Sequence, residues 1–366
     1  MNFSIKIISI LKKKKISFFT GVPDSVLKGF CNELTKFKKN NHVIAANEGG
    51  AISLAAGHYL ATKKLPVVYF QNSGLGNIIN PLTSMIHKDI YGIPMLLFIG
   101  WRGSKNIRDE IQHKVQGKIT LAQLKLLGIN YKIFKKKNLP KQLNSLISYA
   151  KKNNQPVALI FKKGDLISVK DDKKKIDSVK INRNEFISNL IEQAKHYKIF
   201  ATTGFTSREL YQIRQKKKSS KNNDFYMVGG MGHTSMFALG YSLFSKNKVI
   251  CLDGDGSFLM HLGASVISTN FAKKNFKYIL LNNSCHESVG GQPTSIEKIN
   301  LKKFCSSIGY KKYFLLRDKK NIQKILKSFL KSKNPAFLEV RINNFSLKNL
   351  MRITDLKNLK KSFYKN

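Results

Sequence analysis

The sequence predicts an α/β fold of two parallel-sheet domains of similar size, with no middle domain between them. Three observations carry this expectation. Short apolar, β-rich runs recur along the whole chain with helical patterns between them, the rhythm of β-α-β units with helices on both faces of a sheet. Most of the runs end in Gly, Asn, Ser or Asp, so polar loops gather at strand ends. A charged stretch poor in apolar residues, VKDDKKKIDSVKINRNEF, breaks the rhythm near the middle and reads as a linker. The expected division is 1–168 for the first domain, 169–186 for the linker and 187–366 for the second domain.

In the first half the strand candidates are ISFFTGV, HVIAAN, PVVYFQNS, PMLLFIG and PVALIFKKG. In the second they are KIFATTG, DFYMVGG, KVICLDGDG, KYILLNNS and PAFLEVRI. A chain of 366 residues with 42% apolar content has room for two cores. In sheets of this kind the chemistry collects outside the carboxyl ends of the strands, where the polar Gly-rich segments fall.

The formal charge of +44 is carried mostly by Lys spread over the whole length, together with abundant Ile and Asn. The Lys runs at 12–15, 173–175 and 216–218 lack regularly interleaved aromatics, so biased composition accounts for them better than a nucleic-acid surface. A basic surface still favours encounter with an anionic substrate. Cys31, Cys251, Cys285 and Cys305 form no CxxC pair and no metal-ligand spacing, which fits free thiols in a reducing cytoplasm. The start of the chain makes a poor signal peptide, because Lys6 interrupts its short apolar run. No apolar stretch approaches the ~18 residues that a membrane helix needs.

The sharpest local signal is KVICLDGDGSFLMHLGA followed by FKYILLNNSCHES. A buried strand runs into Asp253-Gly254-Asp255-Gly256-Ser257, and a later strand ends in Asn282-Asn283. Glycines let a backbone approach phosphate closely, and a following helix N-terminus favours anionic oxygens. Carboxylate, amide and carbonyl oxygens are hard ligands that suit Mg²⁺. Gly-Asp-Gly alone is a weak motif; at one strand end, with Asn-Asn about 25 residues later at another, it is specific. In the first half, Glu48 follows an apolar strand and opens a small-residue helix carrying Ala55, Ala56 and Gly57. The residues alone leave two readings open there: a functional acid, or a carboxylate stabilised by the helix dipole.

These two segments together resemble those of thiamine-diphosphate enzymes. The resemblance implies a pyrimidine-binding domain followed by a diphosphate-binding domain. It implies that Asp255, Asn283 and the Cys285 carbonyl hold Mg²⁺, with Gly254, Gly256 and Ser257 around the diphosphate. It also implies that Glu48 meets N1′ of the aminopyrimidine, where a carboxyl in a dry pocket can share its proton. The segment MVGGMGHTSMFALGYSL is similar to the stretch that shapes the cofactor, with Met231 between its rings and the Gly229 carbonyl at its amino group; core packing and a turn are the alternative. The acid and the metal site fall in different domains, so the resemblance implies a homodimer or higher oligomer with sites at the subunit interface.

Longer stretches resemble the phosphonopyruvate decarboxylase branch: TGVPDSVLKGF, AANEGGAISLAAGHYLAT, VVYFQNSGLGNIINPLTSM, PMLLFIGWRG, DEIQHKVQG, TTGFTSRELY and NNSCHESVGGQPTS. Ile111 stands where Pro is expected, and the likeness fades in the linker and toward the C-terminus. The implied reaction takes 3-phosphonopyruvate to phosphonoacetaldehyde and CO₂ in phosphonate biosynthesis. Sulfopyruvate decarboxylases are the nearest alternative, and their usual division into two chains favours the phosphonate; a thiamine-dependent ligase of 2-oxo acids is a further one. The implied catalytic residues are Ser25, Asp24 and His113. Asn72 and Ser73 are expected at the cofactor. Arg102, Gln116 and Gln292 are expected at the substrate, although a salt-bridge role for Arg102 and a structural role for His113 stay open. His286 and the loop through Gln292 are expected to order over the site.

Overall fold

The computed structural model describes residues 2–167, 181–217, 224–333, 335–347 and 349–365. The chain divides into two compact units, Met1–Asp172 with His286–Gln292, and Lys173–Cys285 with Pro293–Asn366. Residues 169–180 of the expected linker lie outside the described residues. Its C-terminal end is not linker: Ile181 and Phe186 are fully buried, and a helix begins at Arg183. Ile181 enters the core ahead of the helix, and Phe186 shares one buried helical face with Ile187, Leu190 and Ile191, which outweighs the segment's charge.

The first unit holds a six-stranded parallel sheet of β1 (Phe19–Gly21), β2 (His42–Ile44), β3 (Val67–Gln71), β4 (Leu96–Trp101), β5 (Asn130–Ile133) and β6 (Val157–Lys162). Their order is β2-β1-β3-β4-β6-β5. In register, Val67 faces Leu96 and Leu96 faces Val157. Alternate residues feed two cores. Tyr69, Phe98 and Leu159 point to one, and Phe70, Leu97 and Ile160 to the other. Both faces are covered, so the central strands are continuous apolar runs.

The second unit repeats the plan with β7 (Tyr197–Ala201), β8 (Asp224–Tyr226), β9 (Lys248–Gly254) and β10 (Phe276–Asn282). A local hairpin of β11 (Cys285–His286) and β12 (Gln292–Pro293) follows, then β13 (Lys312–Leu316) and β14 (Ala336–Arg341). The sheet order is β13-β14-β10-β9-β7-β8, all parallel. Leu252, Ile279 and Leu338 face one core while Cys251, Tyr278 and Phe337 face the other.

Ten of the twelve sheet strands coincide with the apolar runs of the sequence. The two others, β5 and β13, are edge strands. All four residues of β5 are only half-buried, and β13 opens on an exposed Lys312. An edge strand needs no apolar run, because solvent reaches it. Among the described residues no helix is long and apolar enough to cross a membrane.

Phe98 is fully buried, with its ring 5.3 Å from Phe30 and 5.4 Å from Phe161. Phe98→Ala should lower the unfolding free energy by about 3–5 kcal/mol in urea titration. A loss below about 1 kcal/mol would remove this ring from the centre of the first core.

Candidate functional site

In the first unit, the loops after β3 and β4 are stitched together by Asn72. Its amide donates to the Arg102 carbonyl (3.0 Å) and Thr120 Oγ1 (2.8 Å), and its carbonyl oxygen accepts from the Arg102 N–H (3.1 Å). The side chain is fully buried and wholly engaged within the protein. Asn72 was expected at the cofactor; its side chain instead fastens two loops. Ser73 is exposed, and its hydroxyl accepts from Gln71 Nε2 at 2.6 Å.

Arg102 follows β4 and folds its guanidinium back onto the chain. Nε and Nη2 donate to the two oxygens of Asp109 (2.8 and 2.5 Å), and Nη1 donates to Ser25 Oγ (2.9 Å). The fork expected to grip the substrate thus grips a carboxylate of its own chain, the salt-bridge role left open by the sequence. Three of the five guanidinium N–H groups are engaged. Burial by itself would raise the Asp109 carboxyl. The bonds from Arg102 and from the Gly103 and Glu110 N–H groups outweigh it and hold Asp109 well below the usual carboxylate range.

Gln116, also expected at the substrate, donates to the Asn72 carbonyl and to Gln123 Oε1, both at 2.8 Å. Both its N–H groups are spent, so it has no donor left for an oxyanion. His113 opens the helix His113–Leu126. Burial first, then the neighbouring Arg102 charge, push its imidazole down to about 4. It is therefore neutral at pH 7.

Asp24 is 1% exposed. Its Oδ2 accepts from the Val26 and Leu27 N–H groups (2.9 and 3.1 Å), while Oδ1 has no hydrogen-bond partner. A side chain on Gly100 would stand 2.0 Å from Oδ2, so the bare β4 backbone is what admits this carboxylate. Burial raises Asp24 to about 6 against those backbone bonds and the Arg102 charge. The first unit thus brings Asp24, Ser25, Asn72, Arg102, His113 and Gln116 into one neighbourhood.

Glu48 begins the helix Glu48–Thr62, whose N-cap Asn47 accepts from the Gly50 N–H. The carboxylate is buried and accepts from Asn77 Nδ2 at 2.7 Å. It packs so closely on Gly74 that a Cβ there would lie 2.4 Å from Oε1. Gln292 is also assigned to this unit, where its amide donates to Asn32 Oδ1 at 3.0 Å. Burial pushes His286 down to about 4.

In the second unit, β9 delivers Asp255 to the first turn of the helix Asp255–Met260. Asp255 is buried, accepts from Thr294 Oγ1 at 2.5 Å, and is raised to about 6 by burial. β10 delivers two asparagines with different fates. Asn282 is buried and donates to Glu339; the half-buried Asn283 lies one residue beyond the strand and accepts from the Cys285 N–H at 3.3 Å. The Cys285 thiol donates to Asn344 Oδ1 at 2.9 Å. Ser257 Oγ accepts from the Gly232 N–H (3.0 Å), which draws the loop of Gly229 and the half-buried Met231 against Gly256 and its turn.

This segment suits a diphosphate with a divalent cation. A Cβ on Gly254 would meet only Thr202 Cγ2, at 3.9 Å, so the loop presents backbone to open space. Among the described residues no three His, Cys, Asp or Glu side chains cluster as a metal site. The donors at hand are one carboxylate, one amide and carbonyls, an oxygen set that anionic ligand oxygens would complete. Glu48 and Asp255 belong to different units. The sequence reading missed Asn77 and Asp109. Each lies inside a segment singled out for other residues, and Asp109 returns to Arg102 only because the intervening loop folds back.

The family model described as "Thiamine pyrophosphate enzyme, N-terminal TPP binding domain" matches residues 1–126, and its C-terminal TPP binding counterpart matches residues 202–340. The chain is 27% identical over 357 residues to a phosphonopyruvate decarboxylase of Streptomyces viridochromogenes, covering 92% of this chain and 87% of that protein. It is 27% identical over 359 residues to a sulfopyruvate decarboxylase of Methanosarcina acetivorans, covering 92% and 90%. It is 32% identical over 167 residues to the sulfopyruvate decarboxylase alpha subunit of Methanocaldococcus jannaschii, covering 44% and 94%. The Methanosarcina match corrects one expectation: a single long chain does not by itself favour the phosphonate over the sulfonate.

Burial of Asp24 yields a pH signature. Its carboxyl ionises at about 6 in the folded chain and at 3.8 when exposed. The contribution is fully present below the lower value and is lost as pH rises through the upper one, a loss of roughly 3 kcal/mol. Asp24→Asn keeps an acceptor for Val26 and Leu27 without the charge. Urea unfolding at pH 4.5 and 8 should show the variant gaining on the parent at pH 8; equal gaps at both values would rule out this ionisation.

Proposed function

The chain belongs to the thiamine pyrophosphate enzyme family, and we propose that it decarboxylates 3-phosphonopyruvate to phosphonoacetaldehyde and CO₂, a step of phosphonate biosynthesis. The observation that carries this reading is the joint one: full-length likeness to a phosphonopyruvate decarboxylase, and an oxygen donor set at the ends of β9 and β10 that needs a diphosphate to be complete.

Asp255, Asn283 and the Cys285 carbonyl would hold Mg²⁺, with the backbone of Gly254 and Gly256 toward the diphosphate. Bound thiamine diphosphate would supply the electron sink for the pair released when CO₂ departs. The chain's own residues set the rest. Glu48, buried and fixed by Asn77, would hold a proton at N1′ of the pyrimidine. Asp24, raised to about 6, would carry a proton near neutral pH, and the neutral His113 would offer a hydrogen bond beside it. Ser25 is oriented by Arg102, which keeps two N–H groups for substrate. Glu48 and Asp255 sit in separate units, and the family's shared sites lie between subunits, so the working form would be a homodimer or larger. Relatives named as an alpha subunit fit that assembly. The four free thiols suit a reducing cytoplasm.

The match to a sulfopyruvate decarboxylase supports a second substrate, identical but for its sulfonate head. Aldehyde release from the two acids, measured side by side with and without thiamine diphosphate and Mg²⁺, decides between them. The phosphonate should turn over at least ~10-fold more efficiently, and only with both additions, the margin that losing one charge-assisted contact gives. Cofactor-independent release would end the proposal. Glu48→Gln should bind thiamine diphosphate within a few-fold of the parent yet lose most C2 proton exchange on the bound cofactor. Undiminished exchange would take Glu48 out of its role.

A further inference from the structure

We propose that Asp253, which lies outside the metal-ligand set, is the positioning residue that holds the diphosphate and metal loop in shape; this rests on the reading of that loop given above. Asp253 ends the apolar part of β9, immediately before Gly254-Asp255-Gly256, and is 1% exposed. A carboxylate so deeply buried is rare and has to be matched by donors.

Two donors meet it. Tyr278, in β10, gives its phenol to Oδ2 at 2.7 Å. The Gly254 N–H gives to Oδ1 at 2.9 Å. Beside it, the Thr202 hydroxyl donates to Ser257 Oγ at 3.1 Å. Thr202 follows β7, and Ser257 lies in the helix that begins at Asp255. Ser257 also accepts from the Gly232 N–H, beside Met231. The carboxylate therefore ties the end of β9 to the strand that leads to Asn283, while Ser257, in the next turn, links the end of β7 through Thr202 to the Met231 loop.

Its partners are themselves held. The Tyr278 ring stacks on Phe337 at 5.0 Å and meets Phe258 edge-on at 5.9 Å, so the phenol cannot follow a displaced carboxylate. With each oxygen bonded within the protein and 1% exposure, Asp253 presents no oxygen to a ligand. Its role is to fix the distance between the two segments that would carry Asp255 and Asn283. Asparagine would keep the shape but turn an NH₂ toward groups that donate. The Gly254 N–H cannot reverse, so Tyr278 would have to.

The test uses the full chain and reads thiamine diphosphate binding by calorimetry across a Mg²⁺ series, with unfolding of the cofactor-free protein measured in parallel. For Asp253→Asn, the dissociation constant should weaken by about 10- to 100-fold and need more Mg²⁺ to saturate, as loss of bonds to a charged group implies. The cofactor-free melting temperature should fall by no more than ~5 °C. At saturating cofactor, turnover should stay within a few-fold of the parent. Tyr278→Phe should shift the same constant in the same direction by about 3- to 10-fold, and it decides the matter if Asp253→Asn does not fold. Cofactor binding and Mg²⁺ dependence unchanged in folded variants, or a loss confined to melting temperature, would overturn the assignment. A parent chain that binds no thiamine diphosphate with Mg²⁺ would overturn the loop's reading and this assignment with it.

Discussion

Burial of both faces of a parallel sheet is the constraint from which the rest of this structure follows. Val67 to Phe70, Leu97 to Ile99 and Leu252 in their strands are fully buried, so none can present chemistry. Candidate functional groups collect where a strand stops and the chain turns away. The loops at Asn72, Arg102, Thr202, Asp255 and Asn283 all occupy that position, five carboxyl ends that carry most of the candidate functional residues.

Once a polar residue is placed there, it must be satisfied without much water. Two arrangements do this. In the first, cation meets anion: Arg102 is fastened to Asp109, and Asn72 closes the gap between the two loops. In the second, neutral donors surround buried carboxylates, with Tyr278 on Asp253 and Thr294 on Asp255. Desolvation in the second arrangement is incompletely offset, and both aspartates are raised. Such carboxylates gain from a cation more than the ion-paired Asp109 would. Asp255 is the one with capacity left for a ligand; Asp253, its oxygens bonded to Tyr278 and the Gly254 N–H, is structural.

The sequence carried the fold to the extent that burial is two-sided. Every central strand was legible as an apolar run, whereas the edge strands β5 and β13 were not, because half-exposed residues such as Tyr131 and Lys132 obey no strict pattern. Of the candidate site, residues adjacent to strand ends were legible: Glu48, Asp255 and Asn283 sit at element boundaries that periodicity locates. What a side chain does after leaving the boundary was not. Arg102 reads as a free fork until Asp109 is seen to fold back on it, and Gln116 as a substrate donor until its N–H groups are seen to be spent. Long-range partners such as Tyr278 for Asp253 leave no local trace, since each is explained locally as an ordinary core or turn residue.

Composition gains meaning in this light. The chain has 65 Lys and Arg against 21 Asp and Glu. Among the described residues seven acids are buried: Asp24, Glu48, Glu209, Asp224, Asp253, Asp255 and Glu339. Carboxylates are ordinarily the most exposed of residues. Here these seven are held inside, and each is hydrogen-bonded within the protein. Biased composition explains the abundance of Lys, but it does not explain which acids persist in the interior. Those acids are retained where packing alone cannot replace a charge, and the unbalanced positive field they leave outside is one in which an anionic 2-oxo acid is drawn toward the protein rather than repelled.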